Sequence, residues 1–313
     1  MVKSRKKYTP KSDPYQMVTD QILDLLENGT KPWAASWESN SAAFQLPRRF
    51  CGEYYKGINV ILLWVAAENH GFTSPTYMTF KQALELGGNI KKGSKGFKVV
   101  FSKSAGTSDD NETGEQLENN VRWFTRTYTV FNLEQIENLP ETYTPPEPRP
   151  AIIGTNEISE RAPELDAFFL ATGANVQLGD NPSYSNKGDY ISMPGFEKFT
   201  RPTAYYSTLA HEVIHWVGNG KRLDRDQSGK FGGTDYAKEE LVAELGAAFL
   251  GARLGFFVEE REDHASYLKH WLGKMKNDKR YFMTAASQAQ KAVDYIIALT
   301  EKAQNTKHYK VAA

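Results

Sequence analysis

The chain has almost no cysteine, no long apolar run and no net charge. Its 313 residues include a single cysteine, Cys51, which excludes a disulfide framework and is typical of a reducing compartment. No segment approaches the ~20 apolar residues of a transmembrane helix, and the polar start at residues 1–7 lacks the apolar core of a signal peptide. We therefore expect a cytoplasmic protein that does not interact with membranes.

The zero net charge hides an asymmetry along the chain. Residues 1–132 carry 17 Lys and Arg against 13 Asp and Glu, whereas residues 133–313 carry 21 against 25. A basic first half is typical of a domain that binds a polyanion, and nucleic acid is the commonest one. Residues 139–150 contain five prolines, which favour an extended spacer. We predict domains at 1–138 and 151–313, each with its own core, joined by a linker at 139–150.

The pattern of apolar residues predicts an α+β protein. In the first half it predicts a mixed α/β domain with helices at 15–27, 59–69 and 79–86 and two strands, 97–101 and 122–131, paired across an acidic loop at 104–120. The second half is predicted to be mainly helical. Two short segments there, 175–178 and 190–193, read as edge strands, and one helix of about four turns covers 203–217.

The chemistry of the second half is indicated by His211, Glu212 and His215. Two histidines four residues apart lie on one face of a helix and can bind one metal ion. The glutamate between them is placed to take a proton from metal-bound water, whose pKa falls toward about 7. The pattern predicts a zinc site that hydrolyses peptide bonds, although another divalent metal such as Mn²⁺ is an alternative.

The next helix offers the remaining protein ligand. Glu240 and Glu244 are one turn apart on a face that is otherwise small and apolar, where an unpaired carboxylate is costly. We assign Glu240 as the third ligand and Glu244 as the carboxylate that orients one histidine, with the reverse order left open. The arrangement resembles that of the gluzincin metallopeptidases. Tyr184, Tyr205 or Tyr206 is a candidate donor to the oxyanion formed during hydrolysis.

Several separated segments resemble the ArdC family, in order along the chain. The matching segments are residues 55–59, 77–83, 87–96, 128–132, 211–215 and 239–244. The resemblance implies an N-terminal domain that binds single-stranded DNA, followed by a zincin-like metallopeptidase domain. It also implies an antirestriction role, in which a protein encoded by a mobile element protects incoming DNA from the recipient's restriction enzymes.

The first domain carries residues suited to DNA binding. Exposed lysines near glycines can approach phosphates, aromatic rings can stack on bases, and neither contact requires a particular sequence. The candidate DNA-binding residues are Lys91, Lys92, Lys95, Lys98, Tyr55, Asn59, Tyr77 and Trp123. Aromatic residues such as Trp33 and Tyr128 belong to the wider set of possible stacking residues.

Three functions are compatible with the sequence. The leading hypothesis is a DNA-tethered peptidase whose protein substrate is unknown, with a DNA-bound host protein as one option. The second is a protein that shields single-stranded DNA and whose metal site is structural or inactive. The third is a general cytosolic peptidase whose basic domain contacts protein substrates.

Overall fold

The computed structural model describes residues 13–34, 45–104, 123–143, 160–229, 233–256, 258 and 265–311. The basic tail at residues 3–11, positions 105–120 of the predicted acidic loop and positions 144–150 of the predicted linker fall outside the described residues.

A mixed α/β region is followed by a mainly helical one. The helices are α1 (Pro14–Glu27), α2 (Ile58–His70), α3 (Phe80–Glu85), α4 (Pro163–Ala171), α5 (Pro202–Val217), α6 (Thr234–Leu254), α7 (Ala265–Asn277) and α8 (Tyr281–Val311). The strands are β1 (Arg48–Arg49), β2 (Thr76–Thr79), β3 (Asn89–Ile90), β4 (Phe97–Ser104), β5 (Trp123–Asn132), β6 (Ile136–Glu137), β7 (Val176–Leu178), β8 (Ser183–Ser185) and β9 (Tyr190–Met193).

Local capping explains where the first helices begin. The side chain of Asp13 accepts a hydrogen bond from the Tyr15 amide at 3.0 Å, and Pro14 occupies the first turn of α1. Thr79 and Gln82 form a reciprocal capping box at the start of α3. The three predicted helices of the first half are confirmed, with ends that differ by one residue or so.

The first sheet has the strand order β1-β2-β5-β4. Its longest pair is the antiparallel ribbon of β4 and β5, which runs from Phe97 opposite Val130 to Ser104 opposite Trp123 and confirms the predicted pairing. Asn59 of α2 caps the free edge of β4, because its side-chain amide bonds both the N–H and the C=O of Val100, at 2.7 and 2.8 Å.

The second sheet corrects one prediction. Its order is β7-β9-β8, so β9 lies in the centre and is not an edge strand as the sequence suggested. The edges are β7, which pairs in parallel with β9, and the unpredicted β8, which pairs antiparallel with it. This places β8 next to α5.

Close packing of α5 on α6 brings the candidate metal ligands together. A Cβ on Gly246 of α6 would lie only 2.8 Å from the Ile214 side chain of α5, so glycine allows the two helices to approach at this point. Ala243 and Ala247 on α6 are also small and buried. The histidines of α5 therefore face the carboxylates of α6 at short range.

The two halves of the chain share their main hydrophobic core, while the first half also has smaller clusters of its own. Val18 and Ile22 of α1 are fully buried in the same cluster as Trp271 of α7 and Phe282 of α8. A hydrogen bond also connects the two halves, since the Thr19 hydroxyl donates to the Lys279 carbonyl at 2.8 Å. The helices α1 and α2 are thus part of the scaffold of the helical half.

Within the described residues, no helix is both long enough and apolar enough to span a bilayer.

Candidate metal centre and nucleic-acid surface

Three side chains converge between α5 and α6. His211 Nε2 lies 3.1 Å from His215 Nε2, and the two Glu240 oxygens lie 3.4 Å from these nitrogens, one each. All three residues are buried. They form the cluster of potential metal donors among the described residues.

The spacing of these donors fits a tetrahedral metal ion. Zinc–ligand bonds of about 2.0–2.1 Å at tetrahedral angles separate neighbouring ligand atoms by about 3.3–3.4 Å. The observed donor separations of 3.1 and 3.4 Å are close to this value. Two imidazoles and one carboxylate are also the donor set of many catalytic zinc sites, which leave a fourth position for water.

Electrostatic interactions couple the two histidines to the neighbouring carboxylates. Burial alone would raise the pKa of Glu240, but contacts with His211 and His215 hold it well below its usual range. Burial lowers the pKa of His211. For His215 burial acts in the same direction, yet Glu239 and Glu240 outweigh it and raise its pKa to about 10. A metal must displace the His215 proton in order to bind.

Glu239, which the sequence analysis missed, orients His215. Its Oε1 lies 3.2 Å from His215 Nδ1, so that Nε2 is directed toward the donor cluster. Arg225 holds the same carboxylate with two hydrogen bonds, from Nε to Oε2 at 3.0 Å and from Nη2 to Oε1 at 2.6 Å. A bidentate guanidinium fixes the plane of the carboxylate and therefore the orientation of the imidazole.

The loop after α5 also satisfies the last carbonyls of that helix. Arg225 donates to the Ile214 carbonyl at 2.6 Å, Gln227 donates to the His215 carbonyl at 2.6 Å, and Arg222 donates to the Trp216 carbonyl at 2.7 Å. Helix C-termini leave such carbonyls without partners inside the helix. The loop therefore fixes the end of the helix that carries His215.

Glu244 has a hydrogen-bond partner in the first half of the chain. Its Oε2 accepts a 2.7 Å hydrogen bond from the indole Nε1 of Trp33, which lies in the segment after α1. Trp33 is buried and packs against Trp271 and Phe282, so it is neither exposed nor available to DNA. Glu239, and not Glu244, is the carboxylate that bonds His215. Glu244 instead connects the metal helix to the first half of the chain.

A cleft of about 330 Å³ opens onto the donor cluster. Glu212 lines it next to the two histidines, and so do Ser183 and Tyr184 of β8 and Tyr236 of α6. Burial and the neighbouring Glu240 raise the pKa of Tyr236, so its hydroxyl keeps its proton at neutral pH. Tyr236 is a cleft residue that the sequence analysis did not select.

The tyrosines selected from the sequence have other contacts. The Tyr206 hydroxyl donates to Asp166 at 2.8 Å and the ring is fully buried. Tyr205 is buried and lies under the Arg161 guanidinium, 5.2 Å from its ring centroid. The Tyr184 hydroxyl donates to Asp189 at 3.0 Å and accepts from Asn219 at 2.8 Å. Of the three, only Tyr184 lines the cleft among the described residues.

The candidate DNA-binding lysines lie on the surface of the first half. Lys91, Lys92, Lys95 and Lys98 are all exposed. Lys91 Nζ donates to the Glu134 carbonyl at 2.8 Å, and Lys98 Nζ donates to the Thr129 hydroxyl at 2.6 Å. These partners are neutral, so the positive charges remain available to phosphate.

Two of the candidate stacking residues are buried, so the prediction that they stack on bases is wrong. Tyr55 and Tyr77 are buried together beneath the first sheet, and the Tyr77 hydroxyl donates to the Leu63 carbonyl at 3.2 Å. Burial raises the pKa of Tyr55 to about 12. The side-chain amide of Asn59 is also occupied, by the edge of β4. Trp123 lies in β5, but its side chain is outside the described residues.

Comparisons with known proteins agree with this arrangement. Residues 12–131 match the family model of the N-terminal domain of anti-restriction factor ArdC, and residues 163–288 match that of the zincin-like metallopeptidase. A crystal structure of the metal-free antirestriction protein ArdC from plasmid R388 is 39% identical with a TM-score of 0.75, over 93% of this chain and 98% of that one.

The chain belongs to the ArdC family.

Other relatives fit the ArdC assignment. The Mn(II)-bound structure of R388 ArdC is 40% identical with a TM-score of 0.73, over 92% of this chain and 98% of that one. An uncharacterized protein of Sinorhizobium fredii, y4eC, is 35% identical over 97% of both chains. The DNA primase TraC of Escherichia coli is 33% identical over 92% of this chain, which spans 27% of that protein.

Arg225 holds Glu239, and Glu239 holds His215. We therefore predict that removing Glu239 lowers the metal affinity of this ArdC-family chain. Glu239→Ala removes the acceptor of His215 Nδ1 and should weaken zinc binding by about 10–100-fold, as for other carboxylates that orient metal-bound histidines. Competition with a chromophoric chelator measures this. Glu301→Ala, at an exposed position of α8, is the matched control and should bind zinc normally. Unchanged zinc affinity of Glu239→Ala would show that the contact has no such role.

We predict that removing the hydrogen bond from Trp33 to Glu244 destabilises the protein. Trp33→Phe removes a donor to a buried carboxylate, so the free energy of unfolding should fall by about 1.5–3 kcal/mol, in addition to the loss of packing. Trp64→Phe is the matched control, because the Trp64 indole donates to a neutral carbonyl, that of Gln45. Trp64→Phe should lower the free energy of unfolding by about 1 kcal/mol less than Trp33→Phe, because a hydrogen bond to a neutral acceptor contributes less than one to a charged acceptor. Urea denaturation measures both, and equal losses would contradict a charge-assisted bond.

Proposed function

We propose that the protein is an antirestriction factor that binds single-stranded DNA through its first half and hydrolyses peptide bonds in its helical half. The convergence of His211, His215 and Glu240 with Glu212 in one cleft is the observation that carries the proposal. The matches to ArdC and to a zincin-like metallopeptidase support it. The matches to an R388 plasmid protein and to TraC support a role in DNA transfer.

A zincin-like domain implies a divalent metal, and we propose zinc, with Mn²⁺ as the alternative that the R388 relative suggests. His211, His215 and Glu240 would hold it. When bound, such an ion lowers the pKa of a coordinated water toward about 7 and polarises the carbonyl of the scissile bond.

The chain's own residues perform the proton transfers. The Glu212 carboxylate takes a proton from the attacking water as the new C–O bond forms. It then delivers that proton to the amide nitrogen as the C–N bond breaks. The products are a carboxylic acid and an amine, and transfer of the acid proton to the amine gives a carboxylate and an ammonium group. The Tyr236 hydroxyl lies in the same cleft and is a candidate donor to the oxyanion. Glu239 and Arg225 keep His215 in the tautomer that this chemistry needs.

The cleft wall suits an extended peptide substrate. Ser183 and Tyr184 lie on β8, which pairs on one side only among the described strands, and both line the cleft. A peptide that adds to such an edge gains main-chain hydrogen bonds with little dependence on sequence. Because one half is proposed to bind DNA and the other to cleave protein, we propose a host protein bound to incoming DNA as the substrate.

The test is to measure cleavage of a protein bound to single-stranded DNA, with and without that DNA. Zinc-dependent cleavage that DNA accelerates supports the proposal. Zinc-dependent cleavage that DNA leaves unchanged indicates a general peptidase. DNA binding without cleavage indicates a shielding protein.

A further inference from the structure

The ribbon of β4 and β5 has one covered face and one open face. Residues directly opposite each other share a face, and successive residues alternate. Val100 and Thr125 fall on one face. That face is covered, because Val100 is buried in the main core and the Thr125 hydroxyl lies 3.0 Å from the Tyr15 hydroxyl of α1.

The other face of the ribbon is only partly covered by the residues that the structure describes. Val99 is buried there in a cluster with Leu63 of α2. The face opens on the β5 side: Tyr128, directly opposite Val99, is 44% exposed, and its ring centroid lies 5.9 Å from that of the half-buried Phe101. Arg126 pairs with Phe101 and is exposed. An aromatic pair and a guanidinium therefore lie side by side on open surface.

The described part of the chain provides no carboxylate to neutralise the cations near this pair. Arg126 and the lysines at positions 91, 92 and 95 have no carboxylate partner among the described residues. Lys98, opposite Thr129, belongs to the covered face and is not part of this surface. The lysines at 91–95 lead directly into β4. Phe97 and Phe101 are about 13 Å apart along that strand, so one short oligonucleotide can reach from the lysines to the aromatic pair. The surface thus offers cations for phosphates and rings for bases.

A second exposed aromatic lacks this setting. Phe80 of α3 is 53% exposed, but the neighbouring Lys81 forms an ion pair with Glu85 at 3.4 Å. Phe80 is therefore an exposed ring beside a neutralised cation, and it serves as a matched control for the ribbon.

We propose that single-stranded DNA docks on the open face of the ribbon, with bases stacked on Tyr128 and Phe101 and a phosphate held by Arg126. Tyr128 and Phe101 replace Tyr55 and Tyr77, which are buried, as the candidates for base stacking. This inference rests on the proposed function, because it names the surface that binds the DNA.

The test uses the full chain and fluorescence anisotropy of a labelled oligothymidylate across a salt series. Tyr128→Ala should weaken binding by about 5- to 150-fold, as for loss of one stacked base, without changing the salt dependence. Tyr128→Trp should restore binding. Arg126→Gln should reduce the log–log salt slope by about 0.7, since one phosphate contact is lost. Phe80→Ala should bind like the wild type.

Two different results would overturn the inference. If Tyr128→Ala and Arg126→Gln bind like the wild type while alanines at Lys91, Lys92 and Lys95 weaken binding, DNA binds elsewhere on the first half. In that case the proposed function stands without this surface. If the wild-type chain itself does not bind the oligonucleotide, the DNA-binding part of the proposed function fails as well.

Discussion

His215→Ala is expected to abolish zinc binding at micromolar free metal. The substitution leaves two of the three protein donors, and it also removes the imidazole that Glu239 and Arg225 hold in place. Loss of a direct ligand should exceed the ~10–100-fold effect of losing a carboxylate that only orients one. Elemental analysis of the purified protein after dialysis measures the metal content.

The control for this prediction lies on the same helix. Glu212→Gln keeps all three proposed donors, so it should retain zinc at wild-type stoichiometry. A His215→Ala protein with a full complement of zinc would contradict the ligand assignment. So would a Glu212→Gln protein that lacks it.

Glu212→Gln is expected to lower the rate of peptide hydrolysis by about 10²–10⁴-fold, the usual contribution of a general base. The amide has nearly the same shape as the carboxylate but cannot accept the proton of the attacking water. The loss should fall on kcat, because Glu212 acts on the reacting atoms. Steady-state kinetics on a fluorogenic peptide measures it, with Glu301→Gln as the exposed control. Wild-type kcat in Glu212→Gln would remove Glu212 from the mechanism.

Elements with strong local signals could be predicted from the sequence. The capping residues Asp13 and Thr79 mark the starts of α1 and α3, and alternating apolar residues mark β4 and β5. By contrast, β1, β3 and β8 have two or three residues each, too few for a periodic pattern to be visible. The edge strand beside the cleft was missed for that reason.

Packing partners could not be predicted, because a pattern shows which face is apolar but not what covers it. The apolar face of α1 gave no sign that it packs on α7 and α8. Likewise, Tyr77 and Tyr128 both lie in strands of the first sheet and are similar in sequence terms. Tyr77 is buried against Leu63 of α2, whereas Tyr128 is exposed, because α2 covers only part of the sheet.

The metal cluster was predictable because its spacing is helical, whereas its supporting residues were not. The pattern on α5 and the position of Glu240 follow from the helix repeat. The role of Glu239 depends on Arg225, which reaches it because the loop after α5 folds back onto the helix. The role of Trp33 depends on its contact with Glu244, which lies more than 200 positions away in the chain.

The central claim is that this chain hydrolyses peptide bonds with a metal held between α5 and α6. Mass spectrometry of a cleaved protein substrate after reaction in H₂¹⁸O with zinc tests it most directly. The account predicts a single ¹⁸O in each new C-terminal carboxylate, no cleavage after removal of the metal with a chelator, and no cleavage by His215→Ala. Cleavage that survives both the chelator and the His215→Ala substitution would contradict it, as would a zinc-loaded chain that leaves every tested substrate intact in the presence of single-stranded DNA.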